Sequence, residues 1–145
     1  MKFAEIINIF KQNKKISKSH MKNLFEMAMV DSHFDDSEYQ LLAKLASKYK
    51  VSEKELNKIK DDPDKVNFEL PKDEAEKFEQ FYELVQMMTI DENMFEEELN
   101  LCKIFAKKFG YKNGKEIIDI IVENIKNELG WQESFKRVSM YKSIS

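Results

Sequence analysis

The chain of 145 residues contains one cysteine, two prolines, three glycines, one tryptophan and, at Arg137, one arginine. Each scarcity excludes something. A lone thiol, Cys102, cannot build a disulfide framework or a thiolate zinc site. Three glycines leave little material for a phosphate-cradling loop, and no dinucleotide fingerprint or nucleophile elbow is present. The low glycine and proline content also excludes collagen-like and low-complexity chains. No apolar run approaches roughly 18 residues, so no membrane span is expected. The opening MKFAEIINIFKQNKK has too short an apolar stretch, and no small-residue cleavage site, for a signal peptide. The expected location is therefore cytoplasmic.

Hydrophobic residues make up 42% of the chain and charged residues 35%. A single domain of this length can bury roughly 68–70% of its unfolded surface without a disulfide or metal staple, so residues 1–145 are read as one domain. The net charge of −3 is unevenly spread: residues 1–22 carry +5, residues 23–100 carry −12 and residues 101–145 carry +4. An acidic middle disfavours nucleic acid as a partner. So does the near absence of arginine, the residue that reads bases and forks onto phosphates.

The apolar spacing is helical throughout. Phe3, Ile6, Ile7 and Phe10 follow i, i+3, i+4, i+7 and predict an amphipathic helix over 3–13. Leu24, Met27, Ala28 and Val30 predict a second helix ending near Asp31. Further helices are expected at 36–50, 53–60, 73–90, 96–109 and 114–129, with a helical tail from Trp131 to about Tyr141. Asp35 with Glu38, Ser52 with Glu55, Asp73 with Glu76 and Asn113 with Glu116 all have capping-box spacing at these starts. Gly130 reads as a helix stop, with Trp131 anchoring the last helix. The alternating stretch VNFEL, 66–70, stands alone between Pro63 and Pro71. It reads as part of an ordered connector that packs Phe68 and Leu70 onto the helices. The fold class is thus all-α: a single-domain bundle of about seven or eight helices.

Sliding the chain by 60 residues aligns 23–51 with 83–111. Met27 falls on Met87, Val30 on Ile90, Asp31 on Asp91, Glu38 on Glu98, Leu45 on Phe105 and Ala46 on Ala106. The shared pattern is [VI]-D-x-x-[FM]-x-x-x-E between two helices. Two copies mean a duplicated helical hairpin rather than a solenoid. The simplest way to cover both apolar stripes is to pack the hairpins together about a pseudo-two-fold axis.

A helix, an Asp-led short turn and a Glu at the start of the next helix resemble the TerB-like family, named for bacterial tellurite resistance. The resemblance spans roughly residues 20–125. It includes His20-x-x-Asn23-Leu24 before the first turn and Phe68-x-Leu70-Pro71 before the second hairpin. The family usually has glycine after the turn aspartate, whereas this chain has Ser32 and Glu92. The second turn has Phe95 where the first has the cap residue Asp35. The resemblance implies an all-helical cytoplasmic module with an acidic surface, with metal binding and a place in stress-response assemblies suggested for such proteins.

Among single residues, Asp31 and Asp91 stand out. Each ends a helix, where the macrodipole disfavours a carboxylate. One reading is an Asx-type turn in which the carboxylate accepts backbone N–H bonds. The other is a divalent metal ion held by Asp31, Asp91, Glu38 and Glu98, although Glu38 and Glu98 are also explained by their place in a first helical turn. An EF-hand is excluded: counting from Asp31, position 6 is Asp36 rather than Gly and position 12 is Leu42 rather than Glu. A di-iron bundle site is excluded because neither His20 nor His33 completes Glu-x-x-His. Both histidines read as structural or solvent-facing. Cys102 reads as a core thiol between Leu99 and Phe105, and the helically spaced Met27, Met29, Met87 and Met88 as mostly core. The expectation is a non-enzymatic module that docks on a protein partner through its acidic or apolar surface, with no nucleic-acid partner. The alternative is a metal-binding or metal-responsive domain that uses the two Asp turns.

Overall fold

The segment from Phe3 to Met29 contains neither glycine nor proline, and nothing in it stops a helix once started. In the computed structural model, which describes residues 2–30, 34–91 and 96–144 with side chains to Tyr141, it forms one continuous helix, α1, Phe3–Met29. The two separate helices expected at 3–13 and near 24–31 are therefore one element; the lysine-rich joint between them is helix-forming in its own right. The rest follow as α2 (Asp36–Lys48), α3 (Glu53–Asp61), α4 (Glu74–Thr89), α5 (Glu96–Lys108), α6 (Gly114–Lys126) and α7 (Trp131–Ile144). A single 3-10 turn, Pro63–Lys65, interrupts the connector between α3 and α4. The described residues contain no strand.

Local chemistry sets most boundaries. The Asp35 and Ser52 side chains each accept the N–H three residues on, at 2.9 and 3.1 Å, and Glu38 and Glu55 reach back to the cap N–H. Asp73 caps α4 by accepting from the Glu76 N–H at 2.9 Å. Asn113 does not cap α6: its ψ of 55° departs from the extended conformation that would aim its side chain at the N3 N–H. Gly114 matters there instead, because a Cβ on it would stand 2.8 Å from the Ala106 Cβ. At the other end of α6 the left-handed position is Glu128, φ 59°, so Gly130 is not the stop residue. The Leu129 N–H closes that helix onto the Asn124 carbonyl at 2.8 Å.

Helix α4 lies at the centre, touching α1, α5, α6 and α7 along its length, while α1 also carries α2 and α3. The core is one contiguous cluster. The repeat appears in it as matched burial: Leu24 with Leu84, Met27 with Met87, Leu45 with Phe105, and Ala46 with Ala106 are all buried. Leu42, Phe81, Val85 and Ile121 are also buried, whereas Leu101 is only half-buried. In the connector, Phe68 meets Phe109 edge-on with ring centroids 6.0 Å apart, and Leu70 packs against the core. Trp131 is half-buried against the same core, and Ser134 and Val138 continue the buried face of α7.

Candidate functional site

The first interhelix turn leads into α2, whose start is fixed by Asp35. One Asp35 carboxylate oxygen accepts both the Glu38 N–H and the Ser37 hydroxyl, the latter at 2.7 Å. The Glu38 side chain turns back toward the cap and is only 2% exposed. Asp91 follows α4 in the second turn and is half-buried. Docking of the two hairpins brings the turns together, so that one carboxylate oxygen from each of Asp35, Glu38 and Asp91 lies within 4.8 Å of the others.

Of the four residues singled out for a metal, the structure thus unites Glu38 and Asp91. It adds Asp35, which the sequence marks only as a cap. Glu98 is buried to the same 2% in α5, and it is not part of this group. Asp31, His33 and the residues 92–95, with Phe95 among them, lie outside the described residues. Asp35 had a sequence signal: its capping-box spacing to Glu38 already places its carboxylate at the turn that leads into α2.

Three carboxylates this close concentrate negative charge between the two hairpins. A divalent cation would neutralise two of the three charges. Around a calcium ion with oxygens at roughly 2.3–2.6 Å, two ligand atoms can be no more than about 5 Å apart. Oxygens within 4.8 Å of one another are compatible with that limit. An all-carboxylate donor set is hard, suited to calcium, manganese or magnesium rather than to thiolate-seeking metals.

A second polar cluster lies inside the bundle. The fully buried His20 on α1 places Nε2 2.8 Å from a Glu83 carboxylate oxygen on α4. The Tyr49 hydroxyl donates to that same oxygen, and Lys48 donates to the other. Burial pushes the Glu83 carboxyl up, but the hydrogen bonds from His20, Lys48 and Tyr49 outweigh it and hold it below its usual range. Burial, reinforced by the Glu83 charge, pushes the Tyr49 phenol up. Every partner of Glu83 is thereby engaged in joining α1, α2 and α4, and the arrangement reads as a brace. The histidine expected to be structural or solvent-facing is structural. The Cys102 thiol is fully buried and pushed up to about 12 by burial, as a core thiol should be.

Two surface features remain. A shallow groove of about 440 Å³ is lined mainly by Phe25, Met29, Phe34, Ile59 and Pro63. Met29 is half exposed there, unlike the buried Met27, Met87 and Met88. The first half of α1 also carries exposed apolar side chains. No helix is long and apolar enough to cross a membrane, among the described residues.

Comparison with protein-family models, with curated proteins and with solved structures finds no match to this chain.

Proposed function

We propose that this protein is a non-enzymatic helical module of TerB-like type that holds a hard divalent cation between its two interhelix turns. The observation that carries the reading is the convergence of Asp35, Glu38 and Asp91 within 4.8 Å. Its ligands come from both halves of the repeat, so the ion would clip the two hairpins together and report on their docking. The non-enzymatic part draws on a recess of about 610 Å³ between α4 and α6. Its lining of Gln86, Thr89, Ile90, Val122, Ile125, Lys126 and Glu128 offers no nucleophile with a neighbouring base. The Thr89 hydroxyl is turned back onto the Val85 carbonyl at 3.1 Å.

Melting in EDTA and in calcium, manganese, magnesium and zinc tests the cation. At a hundredfold excess over its dissociation constant, an ion stabilises the native state by roughly 2.7 kcal/mol, which raises Tm by about 5–10 °C in a domain of this size. The Asp35→Ser, Asp91→Asn double variant should lose that shift while keeping its metal-free Tm, because serine still caps α2. A flat response of the unmutated protein to all four metals would remove the cation reading.

A second reading, docking on a protein partner in the cytoplasm as part of a stress response, is favoured by the apolar groove beside Phe25 and Met29. In that reading an amphipathic helix of the partner would lay its apolar face in the groove. A Met29→Glu, Phe25→Ser variant that still captures the same partner would count against it.

A further inference from the structure

Helix α1 is about 40 Å long at 1.5 Å per residue, but its first buried residue is Ser19. From Lys2 to Lys15 every side chain is exposed except those of Ile7 and Lys14, which are half-buried. Phe3 is 77% exposed, Phe10 68% and Ile6 37%. With Ile7 these residues form one stripe, spaced i, i+3, i+4, i+7. Lysines follow it on the same side of the helix: Lys11 stands one turn after Ile7, and Lys14 one turn after Phe10. Lys14 is tied to Glu55 at 3.2 Å and to the Lys50 carbonyl at 2.8 Å, while Lys2, Lys11 and Lys15 have no ion pair among the described residues.

Apolar stripe and positive flank together select the occupant. Pairing this helix with its copy would cover the phenylalanines but set two lysine flanks against each other. A nucleic acid would match the lysines and leave the stripe in water. The interface of an anionic bilayer matches both: the rings enter the boundary between headgroups and acyl chains while the lysines reach up to lipid phosphates and carboxylates. The acidic stretch 23–100, at −12, is repelled by the same surface and keeps the body off it. We propose that the N-terminal half of α1 is a docking element for an anionic lipid surface.

Flotation of the full chain with vesicles tests this, using phosphatidylcholine alone and a 70:30 mixture with phosphatidylserine. Binding should favour the anionic vesicles by more than about tenfold and fall as salt is raised. Lys11→Gln with Lys15→Gln should weaken it roughly 25-fold, about fivefold per lysine. Phe3→Ala with Phe10→Ala should abolish it. Both variants should melt with the unmutated protein, since the altered side chains lie outside the core. Equal binding to the two vesicle types, or undiminished binding by the phenylalanine variant, would overturn the proposal. So would sedimentation showing a dimer that the phenylalanine variant converts to monomer, which would identify a second copy as the occupant.

Discussion

Lys50 and Gly110, 60 residues apart, occupy the same left-handed position at the ends of α2 and α5, with φ of 58° and 88°. In each case the following N–H reaches back to the matched alanine carbonyl, Val51 to Ala46 and Tyr111 to Ala106, both at 2.9 Å. This is the Schellman closure, in which glycine is preferred because it has no Cβ. One copy of the duplicated hairpin uses glycine and the other does not.

Substitution at the two positions should therefore have opposite effects. Lys50→Gly relieves the left-handed strain and should leave stability unchanged or raise it by up to about 1 kcal/mol, since the carbonyl that receives Lys14 is retained. Gly110→Ala should lower it by about 1 kcal/mol through backbone strain alone, because a Cβ there meets nothing within 4 Å. Urea unfolding of both variants measures this, and effects of the same sign would show that the two turns are not equivalent.

The matched core positions should respond alike. Leu45 is 4% exposed and Phe105 1%, so Leu45→Ala should cost about 2–5 kcal/mol and Phe105→Ala about 3–5 kcal/mol. Ile104→Ala, beside Phe105 but 53% exposed, should change stability by less than about 0.5 kcal/mol. Losses below about 1 kcal/mol at both core sites would mean that the apolar faces had been drawn wrongly.

The Glu83 brace predicts acid sensitivity. Its carboxyl is held below the ordinary 4.5 in the fold, so its contribution to stability is complete above that value and is lost as pH falls through the lower folded one. Glu55, lowered to about 2 mainly by the Ser52 backbone N–H, loses its contribution over the same descent. Unfolding midpoints should therefore decline below about pH 5. Glu83→Gln should cost about 3 kcal/mol at neutral pH and flatten that decline, leaving the part due to Glu55. An unchanged pH profile in the variant would show that Glu83 is not held ionised by its neighbours.

Much of the fold could be read from the sequence because its signals are local. A helix shows its period within two turns, and the Ser52 and Asp73 caps act over three residues. The repeat shows in burial because Met27 and Met87, or Ala46 and Ala106, stand at the same place in the same kind of hairpin. Local reading failed where backbone conformation was decided by something other than the cap motif. Asn113 has capping-box spacing but the wrong ψ, and the end of α6 is turned by Glu128 rather than by Gly130.

The sequence by itself therefore determined most of the helices and most of the buried face, because each depends on neighbours within a few residues. Tertiary structure decided which polar groups meet. His20 finds Glu83 across 63 residues, and Asp35 and Glu38 face Asp91 from the opposite hairpin. Nothing in the spacing of either segment encodes those distances, which follow from how two apolar stripes dock. The exposed first half of α1 was decided at the same level: its Phe3–Phe10 stripe has the period of a core face, but the body ends before reaching it.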